Sequence, residues 1–505
     1  MIQKKMLFAV IGLSAFSLLA ATRDPMDVPV KTVDELIPAI RDAVAGDRIL
    51  IAPGTYDLTG QQMAMSGGSA MKSHLNVTKV CSFIGQGAKP EDTVLKADGD
   101  SHRVMMINAS SGSVVSNLTF KNGYTGDIGG GVLIYAGATE FIKCRFIGNI
   151  GQSGGGIYSK VAGTVMRNCW FEQNGVLDSG SGGGAYACDT ENCVFTNNSA
   201  SIGGGACAGV HRASKFLCNV ANPTVSVAGK GGGGLSGGSA IDCDFICNTN
   251  AVSLSHGAAV HKTVAVTNCL FRGNYGVSNG IVGGVLSVVD CTFEGNGGGA
   301  AIVRRSEVGG GEMCGCVFRH NTGCLVESQN ATPPIRRQVY NCLFEANTNS
   351  GAVSIYTDFK NCTFVNNVCG KEKVAPLSGN ATAVNCAFAG NLPQDIYSNT
   401  GAIPLMTNCL WITQDSYAED PNKRIAAMCY NSHRVDDMKF KDPANGDYSP
   451  KGIRSPLYNA GYEDDGYLAA VGKTDCAGGE RRKFDKIDIG AFELQEKQGL
   501  TILLR

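Results

Sequence analysis

Between residues 118 and 411 the apolar and polar positions repeat one unit: Cys, any residue, Phe, two residues, Asn. It stands at Cys144, Phe146 and Asn149, at Cys169, Phe171 and Asn174, at Cys193, Phe195 and Asn198, and at Cys243, Phe245 and Asn248. It returns from Cys269, Cys291, Cys316, Cys342, Cys362 and Cys386, and weaker copies lie around Phe120, Phe216 and Trp411. The mean spacing is about 24 residues, too short for a helix-pair repeat and suited to the coils of a β-helix. Cys and Phe two apart share one side of a strand, so both face inward and the residue between them faces out. The Asn falls at the strand end, where left-handed geometry is expected of it and where stacked amides would form an inner hydrogen-bonded ladder. Glycine clusters at 129–131, 154–156, 182–184, 203–205 and 283–284 precede apolar residues and predict the bend into the next strand. The predicted fold is all-β, a single-stranded right-handed parallel β-helix with a short N-terminal helix.

The ends read differently. Thr32 to Glu35 form a capping-box pattern, followed by Leu36, Ile40 and Val44 at helical spacing and Gly46 as a stop. Lys4 and Lys5 precede an apolar run to Ala20, with Ala20 and Ala21 as a cleavage point, so 1–21 is expected to be a signal peptide and the chain exported. The remaining divisions are 22–58 as cap and first coil, 59–415 as β-helix, 416–493 as C-terminal cap and 494–505 as a last strand or tail. No later run is apolar enough for a transmembrane helix.

Composition narrows the function. Gly at 67 residues, 15 Pro and 17% charged residues suit buried strands and tight turns without collagen's period. A formal net charge of −1 gives no field to attract nucleic acid, which is excluded as a partner class.

The alternation of a glycine-led motif with Phe-x-x-Asn resembles the repeats of chlamydial polymorphic membrane proteins, over roughly 117–411. That resemblance implies a surface-exposed β-helix in a family associated with adhesion. Residues 47–56 resemble the opening coil of pectate-lyase-like proteins. The series Asp447-Tyr448, 455–461, Thr474-Asp475, Arg481 and 487–493 resembles the C-terminal segment of exported bacterial β-helix proteins, with Asn459 where Asp is usual. It reads as a cap, with a catalytic Asp488 or Glu493 as the lesser alternative. No membrane barrel is expected after residue 415.

Catalytic chemistry is weakly signalled. Ser255-His256-Gly257 resembles the His-Gly element of polygalacturonases, but Asn248-Thr249-Asn250 stands where Asn-Thr-Asp is wanted. Facing carboxylates for glycoside hydrolysis are not evident. Arg336-Arg337 and Asp464-Asp465 are only fragments of a lyase site. No catalytic, cofactor or metal residue is assigned, and no cofactor is implied. A column of cysteines two before the aromatic, from Cys81 to Cys409, reads as small buried hydrophobes. Stacked thiols with parallel Cβ vectors should mostly stay free; if any pair bridges, it is Cys218 with Cys247. Arg272, Glu294, Arg319 and Glu345 alternate in sign on successive coils and predict a surface ionic ladder. The outward column before the aromatic carries Trp170, Val194, Leu270, Val317, Leu343 and Leu410. Such a stripe is either an interaction face or a surface covered by another segment. The function read here is an exported surface protein for adhesion or glycan binding, its partner a cell-surface protein or a polysaccharide; the alternative is a polysaccharide lyase or glycoside hydrolase of the pectate-lyase-like superfamily.

Overall fold

The structure is a computed structural model. It describes residues 23–496 apart from 64–71, 99–100, 223–230, 252–256, 277–279, 299–300, 306–310, 328–335, 350–356, 371–375, 378–380, 394, 396–404 and 413–428. The expected signal peptide, the tail beyond 496 and Ser255-His256 lie outside the described residues.

The chain is a right-handed parallel β-helix. One coil shows why. Gly129 adopts φ 71°, opening strand Val132–Ala136; Thr139–Ile142 follows, Lys143 turns at φ 52°, and Arg145–Ile147 carries the aromatic. Gly148 turns at φ 63°, and Asn149 leads into Ile150–Gly151 before the next glycines. Successive coils pair in parallel register, Phe146 with Phe120 below and Phe171 above. The result is an aromatic sheet of 16 strands, a preceding sheet of 17, a glycine-led sheet of 11 and a short ribbon of seven.

The inward columns hold the stack. Phenylalanines from Phe120 to Phe388 stack with ring centroids 4.5–5.2 Å apart. The predicted Asn ladder is present from Asn149 to Asn391 and ends on Asp395. Its residues do not take the left-handed turn, however. That falls one residue earlier, at Gln173, Asn197 and Cys218, because the Asn must keep its amide inside the stack. A second left-handed corner precedes the cysteine, at Asn168, Asn192, Asn268 and Asn341.

Three alignments shift. Phe83 pairs with Ile49 and Val115 in the preceding sheet, so Cys81 is not in the cysteine column that leads the aromatic sheet. Gly280, with φ 84°, is the bend glycine of its coil, whereas Gly283 and Gly284 lie within strand Val282–Val285. The glycine need is steric as well as conformational: a Cβ at Gly130 would sit 2.3 Å from the Ile150 carbonyl oxygen. Every described cysteine is a free thiol, including Cys218 and Cys247.

Helix α1 (Val33–Arg41) starts at Thr32, whose hydroxyl accepts from the Glu35 N–H at 3.3 Å, and buries Leu36 and Ile40 against the first strands. It stops at Arg41, short of Gly46, and the Glu35 carboxylate takes the Lys31 N–H rather than that of Thr32. Among the described residues no helix is long and apolar enough to cross a membrane.

Of the C-terminal segment from 416, residues 429–434 add strands Cys429–Tyr430 and His433–Arg434 in parallel onto the coil of Leu405–Thr407 and Leu410–Trp411, whereas 435–496 runs back along the flank of the stack. Met438, Tyr448, Leu457 and Ile489 pack on Leu343, Val365, Ala387 and Leu410 of the aromatic sheet. Tyr467 and Val471 of helix α2 (Asp465–Val471) pack with Ile487 and Tyr340 on the preceding sheet. Between them the corner asparagines donate into the segment: Asn341 to Val471, Asn361 to Asp488, Asn385 to Tyr462 and Asn408 to Ala460, all at 2.6–2.9 Å to carbonyl oxygens. The flank supplies donors and apolar area together, and that draws the segment sideways.

Candidate functional site

The outer face of the aromatic sheet has two columns, one residue before and one after each Phe. Strand pairing sets Arg145, Trp170, Val194, Lys215, Asp244, Leu270, Thr292, Val317 and Leu343 side by side in the first. The six residues singled out from sequence divide into two groups. Leu343 and Leu410 are buried beneath the C-terminal segment and Val317 packs at its margin, so these three are not a free face. Trp170 is 46% exposed, and Val194 and Leu270 are half-buried, with no described hydrophobic cluster packed over them.

Three more apolar residues join the open group: Ile147, Leu217 and Ile246, all half-buried. They belong to the column after the aromatic, where the alternating charges stand out in the sequence and the apolar residues between them do not. With Trp170, Val194 and Leu270 they make a strip six coils long, about 24 Å at the usual strand spacing. Charged pairs border it. Arg145 bridges Glu91 at 2.5 Å and Glu172 at 2.7 Å, Lys215 faces Asp244 at 3.7 Å, and Arg272 holds Glu294 at 2.8 Å. The predicted ionic ladder continues with Arg319 and Glu345 at 2.5 Å, and Glu345 also accepts from the Tyr448 hydroxyl at 2.6 Å.

A second polar group faces out of the glycine-led sheet. Tyr158 and Tyr186 stack at 4.4 Å with 5° between ring planes. Burial, and then its neighbour Tyr186, raise the Tyr158 hydroxyl above the usual tyrosine range. One strand further lies Leu133, then Met106; at the start of that strand Arg103 is fully buried, bonded to Asp127 at 3.1 Å and to the Ile128 and Lys72 carbonyl oxygens. The His74 and His102 rings stand 5.1 Å apart beside it. The signal missed in the sequence is the tyrosine second after the glycine triplet in two successive coils.

Other sequence candidates serve structure. Asp488 accepts the Asn459 and Leu494 N–H groups, while Glu493 is buried against Arg481 at 2.7 Å and accepts the Asp488 N–H. Burial raises both carboxyls, Glu493 to about 8. Arg336 is paired with Asp358, and Asp464 caps helix α2. A cleft of about 700 Å³ in the C-terminal segment is lined by Lys441, Asp447, Lys451, Asp475 and Glu493, but Asp475 is occupied by the Ala477, Gly479 and Glu493 N–H groups. No group of three or more His, Cys, Asp or Glu among the described residues is placed to hold a metal ion.

No family model and no curated protein matches the chain. Among solved structures it is similar to a mutant of a PL6 family alginate lyase, at 15% identity, TM-score 0.36 and 88% coverage of this chain, which spans 58% of that enzyme's length. It is similar to a mannuronic-acid-specific family 6 polysaccharide lyase from human gut microbiota, at 12% identity and TM-score 0.35, covering 82% of this chain and 91% of the lyase. It is also similar to the A-module of an Azotobacter vinelandii mannuronan C-5 epimerase, at 14% identity and TM-score 0.33, covering 78% of this chain and all of the module. The fold is established by the chain's own coils.

Proposed function

We propose that this chain is an exported surface protein that holds a polysaccharide along the outside of its β-helix, on the strip from Ile147 to Leu270. One observation carries the reading. The outward apolar columns are covered by the chain's own C-terminal segment from Val317 onward, yet stay open around Trp170 with charged pairs interleaved. A sugar chain suits such a surface, since its C–H faces pack on indole and aliphatic groups while its hydroxyls bond charged side chains. A protein partner for the adhesion reading would favour a larger apolar area with fewer charges at its centre.

The test is retention on immobilised acidic and neutral polysaccharides, alginate included, for the wild type and for the Trp170→Ser, Leu270→Ser double variant. Loss of retention with unchanged thermal unfolding supports the strip. Equal retention by both, or binding of a surface protein but of no glycan, sinks it.

The second reading is chemistry on the bound chain. It is favoured by the outward, stacked Tyr158 and Tyr186 hydroxyls, with the Asp127 carboxylate near Tyr158, phenols of the kind that serve as general acid or base. Unsaturated-product absorbance or new reducing ends, lost on Tyr158→Phe, would establish it. Retention without turnover leaves the binder.

A further inference from the structure

Cys218 and Cys247 are the exposed thiols among the described cysteines; the other described ones are buried or half-buried. Each occupies the single left-handed turn residue directly after the aromatic strand, at φ 52° and 54°. Their strands, Lys215–Leu217 and Asp244–Ile246, pair in register with Leu217 beside Ile246, so the two thiols follow on adjacent coils. The Cys218 N–H donates to the Ile246 carbonyl oxygen at 2.9 Å, and the Cys247 N–H to that of Arg272 at 3.0 Å. Burial, and then the neighbouring Cys247 thiol, raise the Cys218 thiol above its usual range. The same turn on the next coil is Gly273, so no side chain crowds Cys247 from above.

We infer that Cys218 and Cys247 form a thiol pair that a small-molecule disulfide converts reversibly into a cross-link between neighbouring coils. Strand spacing of about 4.8 Å sets the Cα atoms within the range a disulfide spans, and closing the Cβ atoms to about 3.8 Å needs roughly 1 Å of movement. A surface turn allows that shift; the packed column of Cys243, Cys269 and Cys291 has similar stacking but neither the freedom nor an approach for the oxidant. The chemistry is two exchanges. One thiolate attacks the small disulfide, forming a mixed disulfide and releasing one small thiol. The other thiolate then displaces the second small thiol, so two electrons pass from the cysteines to the oxidant and two small thiols leave. The bridge is exposed and its Cβ vectors are parallel, which makes it easily reduced. Its place matters because Leu217 and Ile246, the residues just before the cysteines, belong to the open strip. The cross-link would fix the spacing of two of its six coils. The inference stands whether or not that strip holds a glycan.

The experiment treats the folded full chain with oxidised glutathione, alkylates remaining thiols, and maps tryptic peptides without reduction. The expected product is peptide 216–230 joined to 231–262 through Cys247, with two hydrogens lost from the intact chain and full reversal by dithiothreitol. Cys218→Ser should leave a glutathione adduct on Cys247, and Cys247→Ser one on Cys218. Glutathione on both cysteines of the wild type without a cross-link overturns the inference. So does a bridge from either to a third cysteine, or no reaction at either.

Discussion

Removing one rung of the asparagine ladder should cost far more than removing any surface ion pair, and Asn274→Ala is the cleanest place to see it. Its Oδ1 accepts the Asn248 backbone N–H at 2.9 Å and the Asn248 side-chain amide at 3.1 Å. Its own amide donates to the Phe245 carbonyl oxygen at 2.8 Å and to Asn296 at 3.0 Å. Alanine leaves two donors of Asn248 buried without those acceptors, while Asn296 still receives the backbone N–H of residue 274. At about 1–3 kcal/mol for each stranded donor, the loss is about 4 kcal/mol. The control, Arg272→Ala, removes an ion pair whose side chains are 55% and 37% exposed, expected to contribute about 0–1 kcal/mol. Urea unfolding gives the midpoints, and native-state hydrogen exchange reads the Asn248 amide directly. An Asn274→Ala midpoint no lower than that of Arg272→Ala, with Asn248 still protected, would refute the claim that the ladder is a main source of cohesion between coils.

The other predictions address burial, pH and the flanking segment. His211 is buried between Thr190 and the Ala208 carbonyl oxygen, and burial lowers it from 6.5 to about 4. The unfolded chain therefore takes up this proton first, so stability is full above pH 6.5 and falls by about 3 kcal/mol as the pH drops to 4. Unfolding midpoints measured across that range should lose this slope in His211→Gln, and an unchanged slope contradicts the assignment. Gly130→Ala places a Cβ against the backbone oxygens of Ile150 and Gly155 and should destabilise by about 2–3 kcal/mol, whereas Gly126→Ala meets nothing within 4 Å; differential scanning of the two variants checks it. Arg481→Ala removes bonds to Glu493, Asn341 and the Ala491 carbonyl oxygen, and limited proteolysis should then cut within 435–496 while the coils resist. Equal resistance in both proteins would mean that other contacts hold the flank.

The inward half of the fold was legible because it repeats. Cys, Phe and Asn recur at one spacing, and each repeat fixes the same side chain against the same neighbour a coil away, so the aromatic and asparagine columns could be drawn from spacing alone. Where the local signal is degenerate, the pattern points to the wrong residue. Gly283 and Gly284 look like a bend, yet Gly280 makes it, and with Ile281 and Val282 between them either glycine site fits the pattern before the strands pair. Phe83 has a cysteine two before it like the others, but it belongs to a different sheet. The path of the C-terminal segment was harder still. Its contacts join residues more than 100 apart, such as Tyr467 to Asn361 and Arg481 to Asn341, and no periodicity announces them.

The boundary between covered and open surface was nonetheless present in the two outward columns, provided they are taken together. On coils under the C-terminal segment the paired outward residues are Leu343 with Glu345, Thr363 with Val365, and Ala387 with Ala389, and the one charge among them, Glu345, is held by Arg319 and the Tyr448 hydroxyl. On five of the six open coils the pair mixes apolar with charged: Arg145 with Ile147, Trp170 with Glu172, Lys215 with Leu217, Asp244 with Ile246, and Leu270 with Arg272; the sixth sets Val194 with Thr196. A surface built to be buried loses its charges or pairs them, as Glu345 is paired, because an unpaired ion beneath a packed segment costs several kcal/mol. A surface left in water needs charge but has no need of six apolar side chains in one strip. Apolar residues on all six coils with charge on five of them are what the proposed glycan, with apolar faces and hydroxyl edges, would use, and Trp170 stays uncovered in a chain whose own segment covers later coils.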